Sequence, residues 1–393
     1  MRMFDATERR ARLAVRHHLS PAHRATGVLD ATDGVVCLHA TDPATVYLSA
    51  WARVEGLQRD EVDRALYRDR SLVKHLGMRR TLFVVRRELL PVVQAAASQR
   101  VADQEERRLA KDVEQHGIAA DGARWVKEAQ EAALAALAAM GEATSTQLRK
   151  ADPILDVTIP YALDKSYGGN TALAPRVLTT LSAGGRVLRA SNQGSWAVSR
   201  PTWARTADWL GEDLPVPQER EARAELVRRW LHAFGPATAE DLKWWLGSTA
   251  AAVRVALADV GAVEADMEGR PGVVLPDDLD PVDPVPPYAA LLPSLDPTTM
   301  GWFEREWYLG PHRLQVFDSN GNAGATAWWD GRVVGDWHQM DSGDVAVHLL
   351  EDVGAEAKAA LDAEAARLTA WLGGVRVAAR FPSALAKSRR PSR

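Results

Sequence analysis

A helix, a tight turn, a second helix and a two-stranded hairpin make a compact unit that buries one shared apolar face. This sequence spells that order three times. In the first, residues 35–53 (VVCLHATDPATVYLSAWAR) break at Asp42-Pro43 and resume as an amphipathic helix. Residues 59–68 then read as a short helix, and SLVKHLGMRRTLFVV turns at His75-Leu76-Gly77 into a strand over 80–85. In the second, a long Ala-rich helix over 121–140 leads to a capped short helix in GEATSTQLRK. A helix in APRVLTTLSAGG and a hairpin around Asn192-Gln193-Gly194 complete it. The third runs from a helix over 219–234 through the turn Gly235-Pro236-Ala237-Thr238 and two more helices to a hairpin around Glu268-Gly269. The units share an order rather than a sequence, and three occurrences make coincidence a poor account. The expected fold is therefore mainly α with β wings, as three tandem winged-helix units over 1–120, 121–212 and 213–277. A helix over 7–19, capped by Thr7, precedes the first.

The Pro- and Asp-rich stretch LPDDLDPVDPVPP marks a boundary, and the pattern changes after it. LQVFDS, GATAWWD, GRVVGDWHQM and VAVHLLEDV alternate in polarity, with turns at Asn320-Gly321 and Asp330-Gly331. Residues 278–393 are thus expected to form a small antiparallel β-barrel, with a helix over 355–372, a strand over 375–378 and a basic tail. Tryptophans in such strands suit a barrel core better than an exposed stacking platform.

Composition narrows the function classes. The net charge of −4 argues against a general nucleic-acid coat protein, yet basic residues are not evenly spread. Arg64, Arg68, Arg70, Lys74, Arg79, Arg80, Arg86 and Arg87 crowd one segment. The tail carries Arg380, Lys387, Arg389, Arg390 and Arg393 without an acidic residue. Each cluster reads either as a solvated charge run or as a face turned towards phosphates. The single cysteine, Cys37, excludes an intramolecular disulfide and sits in apolar sequence that suits buried packing. No apolar run is long enough to span a bilayer and no signal-peptide pattern follows MRMFDATERRAR, so a cytoplasmic protein is expected. The histidines are scattered without HExxH or Cys-x-x-Cys spacing, and no P-loop or dinucleotide fingerprint occurs, so neither metal nor cofactor is expected. Lys74, Lys150 and Lys165 lie in no context that marks a Schiff-base nucleophile.

The chemistry-bearing candidates gather at His39-Ala40-Thr41-Asp42. Asp42 can cap the helix that Pro43 opens, which puts an imidazole, a hydroxyl and a carboxylate at the positive end of a helix dipole. The same residues also describe a plain capped helix beside a histidine. Asp296, in LLPSLDP, is a second carboxylate with an equally ordinary reading as an Asp-Pro turn.

Four stretches, LHATDPATVYLSAWAR, RALYRDRSLVKHLGMRRTLFVV, GPATAEDLKWW and LLPSLDPTTMGWFER, resemble the AlkZ/YcaQ-type DNA glycosylases, and the likeness runs over nearly the whole chain. The resemblance implies three winged helices and a barrel enclosing duplex DNA, and a monofunctional enzyme, acting as a monomer, that hydrolyses the N-glycosyl bonds of alkylated bases such as N7-alkylguanine or interstrand crosslinks. It also implies catalytic residues in the first stretch. Where that family carries Gln-x-Gln or Gln-x-Asp, this chain reads His39-Ala40-Thr41. Carried over residue by residue, the motif falls on His39 and Thr41; Asp42, which can orient His39 or supply negative charge, and Asp296, whose turn the resemblance brings near the first winged helix, complete the catalytic candidates. The DNA-binding candidates are Arg68, Arg70, Lys74, Arg79, Arg80, Arg86 and Arg305. The alternative is a non-catalytic winged-helix DNA-binding or regulatory protein, which the replacement of both glutamine positions favours.

Overall fold

The computed structural model describes residues 1–161, 168–378 and 380–388. Lys165 and the tail residues Arg389, Arg390 and Arg393 lie outside them. The chain divides into two compact units, Leu66–Phe83 with Arg87–Arg223, and Met1–Ala65 with Val84–Arg86 and Ala224–Arg393. No helix among the described residues is long and apolar enough to cross a membrane.

The unit centred on residues 87–223 is helical with small hairpins. Gly122–Met140 starts where Asp121 accepts the amide of Arg124, so the first free donors of the helix are answered. Trp125, Ala129, Ala133 and Leu137 recur every fourth residue on it and are all buried, against Leu109, Val113, Val177 and Leu181 of the helices Gln99–Gln115 and Ala174–Ala183. Four-residue spacing keeps a stripe on one helix face, and each large apolar side chain so buried contributes about 1.5–3 kcal/mol. Gly122 permits the close approach, because a Cβ there would stand 2.1 Å from the Ala110 carbonyl oxygen. Ser145–Ala151 follows with a capping box of Thr144 and Gln147, and the hairpin Val187–Asn192 with Pro201–Arg205 comes after Ala174–Ala183.

In the other unit the N-terminal helix is Ala6–Arg16, and its cap is Asp5, whose carboxylate accepts the Glu8 amide. The cap therefore falls two residues before Thr7. An ionised carboxylate at that position answers both the free amide and the helix dipole. Helices Glu219–Phe234, Ala239–Leu246 and Ala250–Asp259 precede the hairpin Val263–Met267 with Arg270–Val274, whose first strand also pairs in parallel with Arg2–Met3.

The C-terminal sheet is antiparallel and open rather than a closed barrel. Its order is Ala289–Leu292, Thr326–Trp329, Arg332–Gln339, Val345–Leu349, with the outer two unpaired to each other. Two expected strands are missing from it. LQVFDS holds a short helix, Arg313–Val316, and 375–378 forms no strand because the Gln339 side-chain amide takes the Val375 carbonyl (3.0 Å) and the Val377 amide (2.8 Å) in place of a ladder. With too few strands the sheet cannot close, and the helix Gly354–Leu372 packs against it instead. Trp328 and Trp337 are buried in this region, as core side chains. Cys37 is buried too.

Candidate active site

The segment from Leu38 to Arg53 carries a short strand, Leu38–His39, and the helix Pro43–Trp51. Asp42 is the cap: its Oδ1 accepts the Ala44 amide at 3.2 Å, and proline occupies the first turn. Its Oδ2 accepts the main-chain amide of Arg380 at 3.0 Å. Burial pushes the Asp42 carboxyl above the ordinary aspartate range, and those two amides and the Arg380 charge pull partly back. His39 is buried, and its Nδ1 accepts the Thr41 amide at a long 3.4 Å. In the neutral ring the lone pair thus stands on Nδ1, on the same side as Thr41.

Thr45 and Ser49 lie four apart on one face of this otherwise apolar helix, and Arg53, four further on and just past its end, continues that polar line. That face is fastened to the turn 294–298. Thr45 donates to the Ser294 carbonyl (2.8 Å), Ser49 to Asp296 Oδ2 (2.6 Å), and Arg53 to both carboxylate oxygens of Asp296 (2.8 and 2.9 Å). Arg53 also donates to the Thr298 hydroxyl at 2.7 Å, and the Thr298 amide closes on Asp296 Oδ1 at 2.9 Å. His17 Nδ1 meets the same hydroxyl at 2.9 Å. Leu295 is held at φ +62 between the two anchor residues. A left-handed leucine costs roughly 1–2 kcal/mol, and the surrounding bonds hold it there. Asp296 and Arg53 are both fully buried, so the carboxylate is a structural tie with its acceptor positions filled.

A cavity of about 550 Å³ opens beside Asp42 and Thr45, with Asp336, His338, Asp341 and Arg376 among its other walls. His39 and Thr41 do not line it.

Residues 32–371 match the family model of AlkZ-like DNA glycosylases. The chain belongs to that family. Among curated relatives, an interstrand DNA cross-link repair glycosylase of Streptomyces sahachiroi is 29% identical over 182 residues, which is 42% of this chain and 46% of that protein. The chain therefore matches about half the length of this curated relative. The solved structure of the Streptomyces sahachiroi DNA glycosylase AlkZ superposes with a TM-score of 0.75 at 24% identity, covering 98% of this chain and 99% of that one. The fold is thus that of AlkZ from end to end.

The basic candidates of this AlkZ-like chain fall in varied settings. Arg68 and Arg80 are exposed, the latter paired with Glu105 at 3.0 Å. Arg79 and Arg80 occupy both central positions of the tight turn from Met78 to Thr81 with φ of 54 and 59, closed by the Thr81 amide on the Met78 carbonyl. Such a turn ordinarily takes Asn-Gly. Arg70 stacks over Trp209 at 4.0 Å, Lys74 donates to the Tyr67 hydroxyl at 2.6 Å, and Arg86 pairs with Asp33 at 2.7 Å. Arg305 is buried between Trp244 and Phe317, and burial lowers its pKa from the usual arginine range. It is not presented to a phosphate. Sequence reasoning passed over Thr45, Ser49, Arg53 and Arg380. The four-residue polar spacing was the available signal for the first three, and Arg380 had none beyond its place in a basic run.

Proposed function

We propose that this chain excises alkylated bases, of the N7-alkylguanine or interstrand-crosslink kind, from duplex DNA, using the segment His39–Asp42. What carries the reading is a family match that spans this segment and the turn that fastens its helix. An N7-alkylated guanine is already cationic, so it departs with the glycosidic electron pair as a neutral base and needs little help from an acid. The remaining task is to deliver water to C1′ as positive charge builds on the sugar. In this reading a water replaces the weak Thr41 contact at His39 Nδ1, the C1′–O bond forms as C1′–N9 breaks, and the water's proton passes to the imidazole. The Thr41 hydroxyl holds that water, and Asp42 fixes the loop and supplies negative charge near the sugar. Arg68, Lys74, Arg79 and Arg80 take phosphates, on one of three winged units.

The second reading, a DNA-binding protein without excision, draws on the commitment of both Asp42 oxygens to backbone amides and on the burial of His39. Incubation with duplexes bearing N7-methylguanine or a nitrogen-mustard crosslink separates the two. Abasic sites should appear with the native chain and fall at least a hundredfold in His39→Ala. Binding without base release would establish the second reading, and undiminished release by both His39→Ala and Thr41→Ala would remove the site assignment.

A further inference from the structure

The C-terminal segment does more than follow the last long helix. It is anchored on both sides of Arg380. On one side Gln339 holds Val375 and Val377, and Arg376 donates to the Met340 carbonyl. On the other, Ser383 is buried against Gly324, where a Cβ would stand 2.5 Å from that of Ser383. Between these anchors Arg380 meets the His39–Asp42 loop twice. Its main-chain amide donates to Asp42 Oδ2 at 3.0 Å and its guanidinium to the Thr41 carbonyl at 3.1 Å.

We propose that Arg380 is a positioning residue of the candidate active site, acting through Thr41 and Asp42 on His39. The Thr41 carbonyl and amide belong to adjoining peptide planes. A guanidinium that fixes the first restricts the residue that presents the second to His39 Nδ1. The Asp42 carboxylate, gripped between the Ala44 and Arg380 amides, stops the loop from rotating about the helix start. The cation also lies beside a buried carboxylate in a neighbourhood that includes Asp336, Asp341, His338 and Arg376 around the adjoining cavity, and His39 within the loop. Basic residues of a tail are ordinarily credited to phosphates, but the Arg380 guanidinium has a protein carbonyl as its partner. The inference rests on the excision reading for its catalytic consequence and on geometry alone for the coupling.

Arg380 is exposed, so its replacements are expected to fold. Three variants divide its contributions. Arg380→Lys keeps the charge, Arg380→Ala removes the guanidinium, and Arg380→Pro also removes the amide given to Asp42. Asp42 is followed by carbon-detected carboxyl titration and His39 by the nitrogen shifts of its imidazole, both in the full-length protein without DNA. The Asp42 pKa should rise in Arg380→Ala, rise further in Arg380→Pro and return towards native in Arg380→Lys. The His39 nitrogens should lose the native preference for a lone pair on Nδ1 in the same order. In excision, kcat should fall about tenfold in Arg380→Ala, with KM within about twofold, a loss of about 1.4 kcal/mol in transition-state stabilisation. Unchanged Asp42 and His39 signals in Arg380→Ala and Arg380→Pro would overturn the proposal. So would a rise in KM and a weaker salt dependence at constant kcat, which would make Arg380 a phosphate contact. A native chain that releases no base would defeat the excision reading, while the two spectroscopic signals would still decide whether Arg380 sets the loop.

Discussion

Asp296 can be tested as a tie or as a reacting carboxylate, because the two roles predict opposite effects on stability. Its oxygens accept from Arg53 twice, from Ser49 and from the Thr298 amide, all at 2.6–2.9 Å and out of solvent. In Asp296→Asn the volume stays and the charge goes, so Arg53 is left buried without its counter-ion. Breaking one half of such a pair costs about 3–5 kcal/mol, which for a domain of this size lowers Tm by roughly 6–20 °C. Arg53→Met should cost a similar amount by stranding the carboxylate. The double replacement Arg53→Met with Asp296→Leu should regain at least half of the loss, since an apolar pair removes both desolvation costs; the Ser49 hydroxyl and carbonyl and the Thr298 amide each lose a partner, and the Thr298 hydroxyl keeps His17. Calorimetric melting of the four proteins, with excision measured well below each Tm, reads both quantities. A Tm for Asp296→Asn within about 2 °C of native, given the melting scale for domains of this size, would refute the structural assignment. If excision vanished at the same time, Asp296 would be a reacting carboxylate after all.

Two further predictions concern the other unit. The Arg79-Arg80 turn adopts left-handed backbone where Asn-Gly is preferred, so Arg79→Asn with Arg80→Gly should stabilise the protein by roughly 1–2 kcal/mol. The same change should weaken duplex binding and flatten its logarithmic salt dependence by about 2. A lower Tm or an unchanged salt slope would contradict the idea that strain is kept here for the sake of the two arginine charges. His75, buried and bonded to Ser98 at 2.9 Å, is lowered by burial to a pKa of about 4, against a smaller opposing pull from Gln94. The folded pKa lies below the unfolded value of about 6.5, so the unfolded chain takes the proton first. The contribution is complete above about pH 6.5 and is lost as pH falls towards about 4, a change of roughly 3 kcal/mol. His17 is depressed in the same direction by burial. Melting from pH 7.5 to 4.5 should show this loss and a shallower slope in His75→Gln; parallel curves for the two proteins would disprove it.

What could be read from the sequence follows the range of the interaction that decides each feature. Asp42-Pro43 starts a helix through contacts two residues away, and Thr144 and Thr238 close capping boxes over three, so these were legible. The hairpins after each helix group were legible for the same reason. The strand Ala289–Leu292 was not, because all four of its residues are buried and alternation, the usual sign of a strand, is absent. LQVFDS misled in the opposite way: its alternating Leu, Val and Phe fit one turn of helix as well as a strand, and four residues are too few to separate the periods.

The site divides along the same line. His39, Thr41 and Asp42 were found because they are neighbours in sequence. The pairs that hold them, Arg53 with Asp296 and Asp42 with Arg380, are 243 and 338 residues apart and leave no local trace. That distance bears on what the His39 and Thr41 side chains themselves decide. A helix start whose loop is gripped from below by a buried ion pair and from above by the C-terminal segment is held by bonds that use neither the His39 nor the Thr41 side chain. Glutamine at both positions 39 and 41 should therefore change the chemistry of the loop rather than its course, with a loss of stability limited to what the buried His39 ring and its bond to the Thr41 amide contribute, read as the change in Tm. If His39 is the base, the chain with glutamine at both positions will lose the decline in excision at acidic pH that protonation of an imidazole imposes. A profile that stays unchanged would show that the pH-sensitive group lies elsewhere.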